Sequence, residues 1–169
     1  TCCIQRRGGI TDRNKIITEG SAGSDENERF RSLLLNIPKA EIHLHLEGLA
    51  SVDTIWSLMK ENSVSVKGIN TKEDLENRFL VKSLDEFIAL FINVIQNPFK
   101  KDSDLDFLIR DARDYLKRNS ITYAEIFFAP TKFLMNGFRF DTMIRILDEG
   151  AERLKAEDDL DVQFIIDLS

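Results

Sequence analysis

The chain has 169 residues, of which 43% are hydrophobic and 31% charged, and it carries a net charge of -6. That length suits one domain with enough apolar surface for a core, while charges of mixed sign leave no basic stripe to follow a nucleic acid backbone. No apolar run approaches the roughly 18 residues that cross a bilayer, and the N-terminus lacks the apolar centre of a signal peptide, so the expectation is a soluble cytoplasmic protein that uses neither nucleic acid nor membrane as a partner.

Residues 1–26 mix Gly, Ser and charges without periodicity and read as a disordered polar tail. Its cysteines, Cys2 and Cys3, are adjacent and cannot staple a core. From Asn27 to Ser169 the pattern is that of a folded unit. A short helix runs to Leu35, Ile37-Pro38 turns the chain, and Ala40 to Leu46 reads as an apolar strand. Ser51 is placed to cap a helix carrying Val52, Ile55, Trp56 and Met59 as far as about Asn62, followed by a polar stretch with Gly68. Ser83 and Glu86 have capping-box spacing and open a helix with Leu84, Phe87, Ile88, Phe91, Val94 and Ile95 on one face. Leu105, Leu108, Ile109, Ala112 and Leu116 predict another helix from about Asp104 to Arg118.

Ile121 to Phe128 is rich in β-branched and aromatic residues and closes on Ala129-Pro130, the pattern of a buried strand. Asp141 is placed to cap a helix through Met143, Ile144, Leu147, Ala151 and Leu154, and Val162 to Leu168 forms a third strand. The order strand, helices, strand, helix, strand, with crossovers long enough for parallel pairing, predicts α/β architecture. A chain that opens on Thr1 and stops at Ser169, directly after the third strand, reads as a piece of a longer protein.

Both histidines of the chain fall in the first strand, as His43-Leu44-His45. Side chains two apart on a strand share a face, with roughly 7 Å between their Cα atoms, so one metal ion can meet both rings. Neutral imidazole suits zinc and similar ions. A His-x-His pair is also compatible with two hydrogen-bonded structural residues or a surface pair. The composition of the run predicts a strand covered on both faces, where two imidazoles need partners, and the strand ends at Glu47-Gly48, where parallel sheets place their ligands. A catalytic zinc takes about three protein ligands; Asp167 at the end of the third strand is a geometric candidate, although a strand-terminal Asp also caps loops. Glu125 in the second strand calls for a partner, most simply an ion pair, and Gly48 for a turn or a close approach.

Ile37-Pro38-Lys39-Ala40-Glu41-Ile42-His43-Leu44-His45-Leu46-Glu47-Gly48 closely resembles the first-strand signature of the adenosine deaminase family, metal-dependent purine deaminases of the amidohydrolase superfamily. Ser83 to Phe91 resembles the family's helix over the active-site mouth, and Tyr123 to Pro130 its second strand. The similarity extends over about residues 36–169. The resemblance implies a (β/α)8 TIM barrel, of which this chain holds about the first three strands and their helices, with the active site at the C-terminal ends of the strands. It implies His43 and His45 as ligands of one divalent metal ion, zinc first among the candidates.

By the same resemblance, Glu47 contacts the substrate, and Leu84, Phe87, Ile88 and Phe91 form an apolar wall against it. The spacing of that wall alone would read as ordinary core packing. Members specific for adenosine usually carry Asp where Glu47 stands, which tilts the expected small-molecule purine toward adenine or a related aminopurine. In the family the metal lowers the pKa of water, the hydroxide attacks C6 and ammonia leaves. The remaining ligands and the acid–base residues belong to segments after Ser169, so the resemblance assigns no catalytic residue to this chain and implies that it is inactive alone. Two other readings stay open: a non-catalytic metal-binding or interaction remnant, and a different metal-dependent amidohydrolase.

Overall fold

A computed structural model describes residues 23–168. Helix α1 (Gly23–Asn36) begins inside the segment read as a tail. Asp25 and Glu26 in its first turn complement the positive end of the helix dipole. The rest of that segment, up to residue 22, lies outside the described residues. Strand β1 (Lys39–His45) follows Pro38, and a short 3₁₀ turn (Glu47–Leu49) leads to α2 (Val52–Glu61). Ser51 caps α2 as expected, its hydroxyl accepting the Thr54 N–H at 3.1 Å.

The stretch read only as polar contains a further helix, α3 (Lys72–Arg78). Thr71 and Asp74 close a capping box there, the hydroxyl accepting the Asp74 N–H at 3.1 Å and the carboxylate accepting the Thr71 N–H at 2.9 Å. Helix α4 (Leu84–Leu90) passes directly into a π-helical turn at Phe91–Ile95. Ser83 caps α4, but Glu86 reaches back to the Lys82 N–H rather than to that of Ser83, so the predicted box closes one residue early.

Helix α5 (Leu105–Arg118), strand β2 (Ile121–Phe128), a short helix α6 (Thr131–Met135), helix α7 (Phe140–Asp158) and strand β3 (Asp161–Ile166) complete the order. Asp141 does not cap α7, which starts at Phe140; its carboxylate pairs instead with Arg139 at 2.8 Å.

The three strands form a parallel sheet in the order β1-β2-β3, with α5 crossing to β2 and α7 to β3. From Tyr123 to Phe128 the two faces of β2 alternate strictly. Ala124, Ile126 and Phe128 are fully buried, whereas Tyr123, Glu125 and Phe127 are half-buried on the other face. The buried face, with Leu44 and Val162, joins Leu108, Ile109 and Leu116 of α5 and Met143, Leu147 and Leu154 of α7 in one core. Each such side chain contributes roughly 1.5–3 kcal/mol by leaving water, and this core fixes which face of the sheet carries the histidines. The topology is that of a three-stranded parallel arc of a (β/α)8 barrel.

Strand β1 is not covered on both faces as its composition predicted. Ile42 is 64% exposed and His43 is exposed as well. Among the described residues β1 pairs on one side only, and a register shift between Glu41 and Leu44 interrupts its alternation.

Candidate functional site

Leu44 and Leu46 are drawn into the core on the helical side of the sheet, which leaves His43 and His45 to the opposite face. Their rings meet edge to face, with centroids 5.4 Å apart. An ion about 2.1 Å from one nitrogen of each ring, at a tetrahedral angle, would hold the ring centres roughly 5 Å apart. The pair therefore fits a shared ion in separation and donor chemistry. Among the described residues no third His, Cys, Asp or Glu joins it in a cluster able to hold a metal. Asp167, weighed as that third ligand, follows β3 with its backbone N–H on the Phe128 carbonyl at 2.9 Å, and its charge reaches both His45 and Glu47.

Burial lowers the pKa of His45, helped by the neighbouring His43 and opposed by Asp167. A lowered pKa favours the neutral ring, the form in which imidazole binds metal. Aromatic rings surround the pair. Phe127 lies opposite His45 in the parallel register, 4.8 Å from the His43 ring and 5.7 Å from that of His45. Phe91 meets His45 edge-on at 6.4 Å, and Phe87 packs on Phe91 at 5.8 Å.

Of the four apolar residues that the resemblance places on the wall, Phe91 meets a histidine edge-on and Phe87 packs on Phe91. Leu84 and Ile88 are 70% and 45% exposed, so they contribute little to the core. The helix face expected to be continuous is thus split: Val94 and Ile95 turn inward on the π-helical turn while α4 leaves Leu84 and Ile88 open.

Glu47 is fully buried, not a solvated loop acid. One oxygen, Oε1, accepts the Ala129 N–H at 2.9 Å and the Gln96 side-chain amide at 3.3 Å, while Oε2 is buried without a hydrogen-bond partner. Burial pushes its pKa up to about 7 against the pull of these donors. Glu125 is half-buried and accepts the Tyr123 hydroxyl at 2.9 Å, so its partner is a neutral group rather than the expected cation. A Cβ added at Gly48 would lie 3.8 Å from that of His45, an ordinary contact, so no close approach requires a glycine there.

Phe127 and Gln96 were not among the residues expected at the site. Phe127 was legible through the alternation of β2, since it shares a face with Tyr123 and Glu125. Gln96 carried no signal, because its approach to Glu47 depends on the π-helical turn, which no local pattern announces.

His45, Phe127 and Asp167 all lie at the C-terminal ends of their strands, the end at which barrels of this kind hold their active sites. The family model described as adenosine deaminase matches residues 38–168. The chain belongs to the adenosine deaminase family. Relatives include an aminodeoxyfutalosine deaminase of Acidothermus cellulolyticus, 29% identical over 72% of this chain and 33% of its own length. An adenine deaminase of Geotalea uraniireducens is 29% identical over 82% of this chain and 39% of its own length.

Among solved structures, an adenine deaminase from Arthrobacter aurescens superimposes with a TM-score of 0.69 at 19% identity, over 76% of this chain and 39% of that one. A Burkholderia ambifaria amidohydrolase with bound zinc does so with a TM-score of 0.64 at 19% identity, over 90% and 40%. Both likenesses bear on the fold, and both confirm the barrel arc that the resemblance implied. The chain spans well under half the length of these relatives and of these solved structures.

Proposed function

We propose that this chain is part of a metal-dependent purine deaminase of the cytoplasm, with His43 and His45 holding one divalent ion, zinc by preference, and with an aminopurine such as adenine or adenosine as substrate. The observation that carries this reading is the pair of imidazoles 5.4 Å apart at the C-terminal end of β1. Two family features support the substrate class: the relatives named above act on adenine and aminodeoxyfutalosine by their names, and Glu47 stands where adenosine-specific members usually carry Asp. The ligands that would complete the metal site lie outside the described residues.

A divalent ion bound there would supply the Lewis acidity that makes water a nucleophile at neutral pH. The chain's own residues orient and shield. Strand β1 holds the two imidazoles at a fixed spacing, so little freedom is lost when they bind. Phe91, supported by Phe87, presents an aromatic edge beside His45 and offers an apolar flank to a flat base, and Leu84 and Ile88 extend that flank along the exposed side of α4. Glu47 has a buried oxygen without a partner, and a substrate N–H or O–H brought to it would satisfy an atom that is costly to leave alone.

The test is made on the intact protein that carries this chain. Metal content is measured by mass spectrometry, and ammonia release is followed with adenine, adenosine and aminodeoxyfutalosine. The expected result is about one metal ion per chain, lost in H43A and H45A, with release from at least one of these substrates. A metal-loaded protein that deaminates none of them overturns the reading.

A further inference from the structure

A strand fixes the Cβ atoms of His43 and His45 but not the planes of their rings, because the terminal torsion of histidine is broad. For both nitrogens to meet one ion the planes must be set as well. Phe127 is placed to do this. It is paired in register with His45 and its ring lies against both imidazoles, tilted 39° to His43 and 29° to His45. Phe91 closes on His45 from a second direction at 85°.

The core makes no demand on Phe127. Ala124, Ile126 and Phe128 fill the buried face of β2, and Phe127 points the other way, half-buried. Its side chain offers neither a charge nor a hydrogen bond, so it is not itself a ligand; what it offers is a flat face of the right size beside two rings.

We propose that Phe127 is the positioning residue of the histidine pair, holding both imidazole planes in the orientation that lets them share one ion. The proposal rests on the metal reading of the pair given above. Groups that orient metal ligands typically change affinity by roughly 10- to 100-fold when altered, and a similar loss is expected here. Leucine at this position keeps most of the apolar volume and removes the flat face; tyrosine keeps both.

The experiment uses the intact protein, stripped of metal and titrated with zinc against a competing chelator, with the cobalt(II) absorption spectrum as a second readout. F127L is expected to bind zinc roughly 10- to 100-fold more weakly and to show an altered cobalt spectrum, while its metal-free form melts close to the wild type. F127Y is expected to keep wild-type affinity and spectrum. Should F127L fail to fold, F127M, another apolar residue of similar volume, serves in the same comparison.

Wild-type affinity and spectrum in the folded Leu or Met variant overturn the proposal. So does a loss as large in F127Y as in F127L. If wild-type protein and H45A bind zinc equally, the metal reading itself has failed and takes this proposal with it, an outcome the His variant separates from failure at Phe127 alone.

Discussion

Gln96 and Glu47 are joined by a buried side-chain hydrogen bond, 3.3 Å from the amide to Oε1, across 49 positions of sequence. The π-helical turn makes it possible, since the Gln96 N–H bonds back to the Phe91 carbonyl at 3.0 Å and the same turn places Phe91 beside His45. One backbone irregularity therefore serves both the histidine and the acid, in keeping with the frequent occurrence of π turns at functional sites.

The bond predicts an unequal pair of substitutions. In Q96L, Glu47 Oε1 keeps the Ala129 N–H, so the expected loss of stability is about 0.5–1.5 kcal/mol, one ordinary hydrogen bond. E47A strands both donors and should cost about 1–3 kcal/mol. The double variant should lose less than the two single losses added together, because both remove the same bond. Denaturant unfolding of the three variants measures this, and strict additivity would show that the bond contributes nothing.

Gly150, buried on α7, is required by close approach. A Cβ there would fall inside the contact radius of Ile109 Cδ1 and lie 3.1 and 3.2 Å from its Cγ1 and Cγ2. Ile109 is itself buried on α5 and has little room to move. Alanine gains about 0.5–1 kcal/mol over glycine in a helix interior, but overpacking a core costs about 1–3 kcal/mol. The overpacking term is the larger, so G150A is expected to lower the unfolding midpoint; an unchanged or raised midpoint would mean that the helices part without cost.

The elements with a local cause were legible. Strand β2 ran over the predicted residues because a β-branched and aromatic run met Pro130, and α2 began where Ser51 could cap it. The metal-ligand candidates were legible because two histidines two apart on any strand share a face. What escaped depended on partners distant in sequence. The exposure of Ile42 and His43 accompanies the pairing of β1 on one side only among the described residues, and nothing inside the run announces that. The aromatic enclosure of the pair needed the β1–β2 register, and the clasp on Glu47 needed both Ala129 and Gln96. Helix α3 was missed for a smaller reason: Asp74 closes a capping box that is usually sought with Glu or Gln.

Asp158 sets an acid limit on stability. At the end of α7 it accepts bonds from Arg113 and Lys117 of α5 with a side chain only 4% exposed. These two cations hold its pKa down to about 2, against roughly 3.9 in an unfolded chain. Between those values the unfolded state binds more protons, so stability rises with pH across the window and is lost as pH falls through it. D158N should therefore melt below the wild type at pH 7, and the gap should close between about pH 4 and pH 2. Parallel melting curves across that range would deny the ion pairs any part in folding.

The outer edge of β1 is expected to govern how these 169 residues behave when produced alone. Among the described residues β1 and β3 each pair only with β2, and Ile42 stands exposed on the first of these edges, with Phe30, Leu33 and Ile37 exposed on the segment leading into it. An edge of unpaired N–H and C=O groups flanked by apolar side chains is a template for pairing with another chain. Natural edges are blunted by charge, and lysine is the usual choice. I42K should therefore reduce self-association while leaving thermal stability within about 0.5 kcal/mol, because surface substitutions away from special features rarely cost more. Sedimentation velocity over a range of concentrations distinguishes the outcomes: a wild-type chain that stays monomeric throughout, or an I42K chain that associates just as strongly, would locate the cause of association elsewhere.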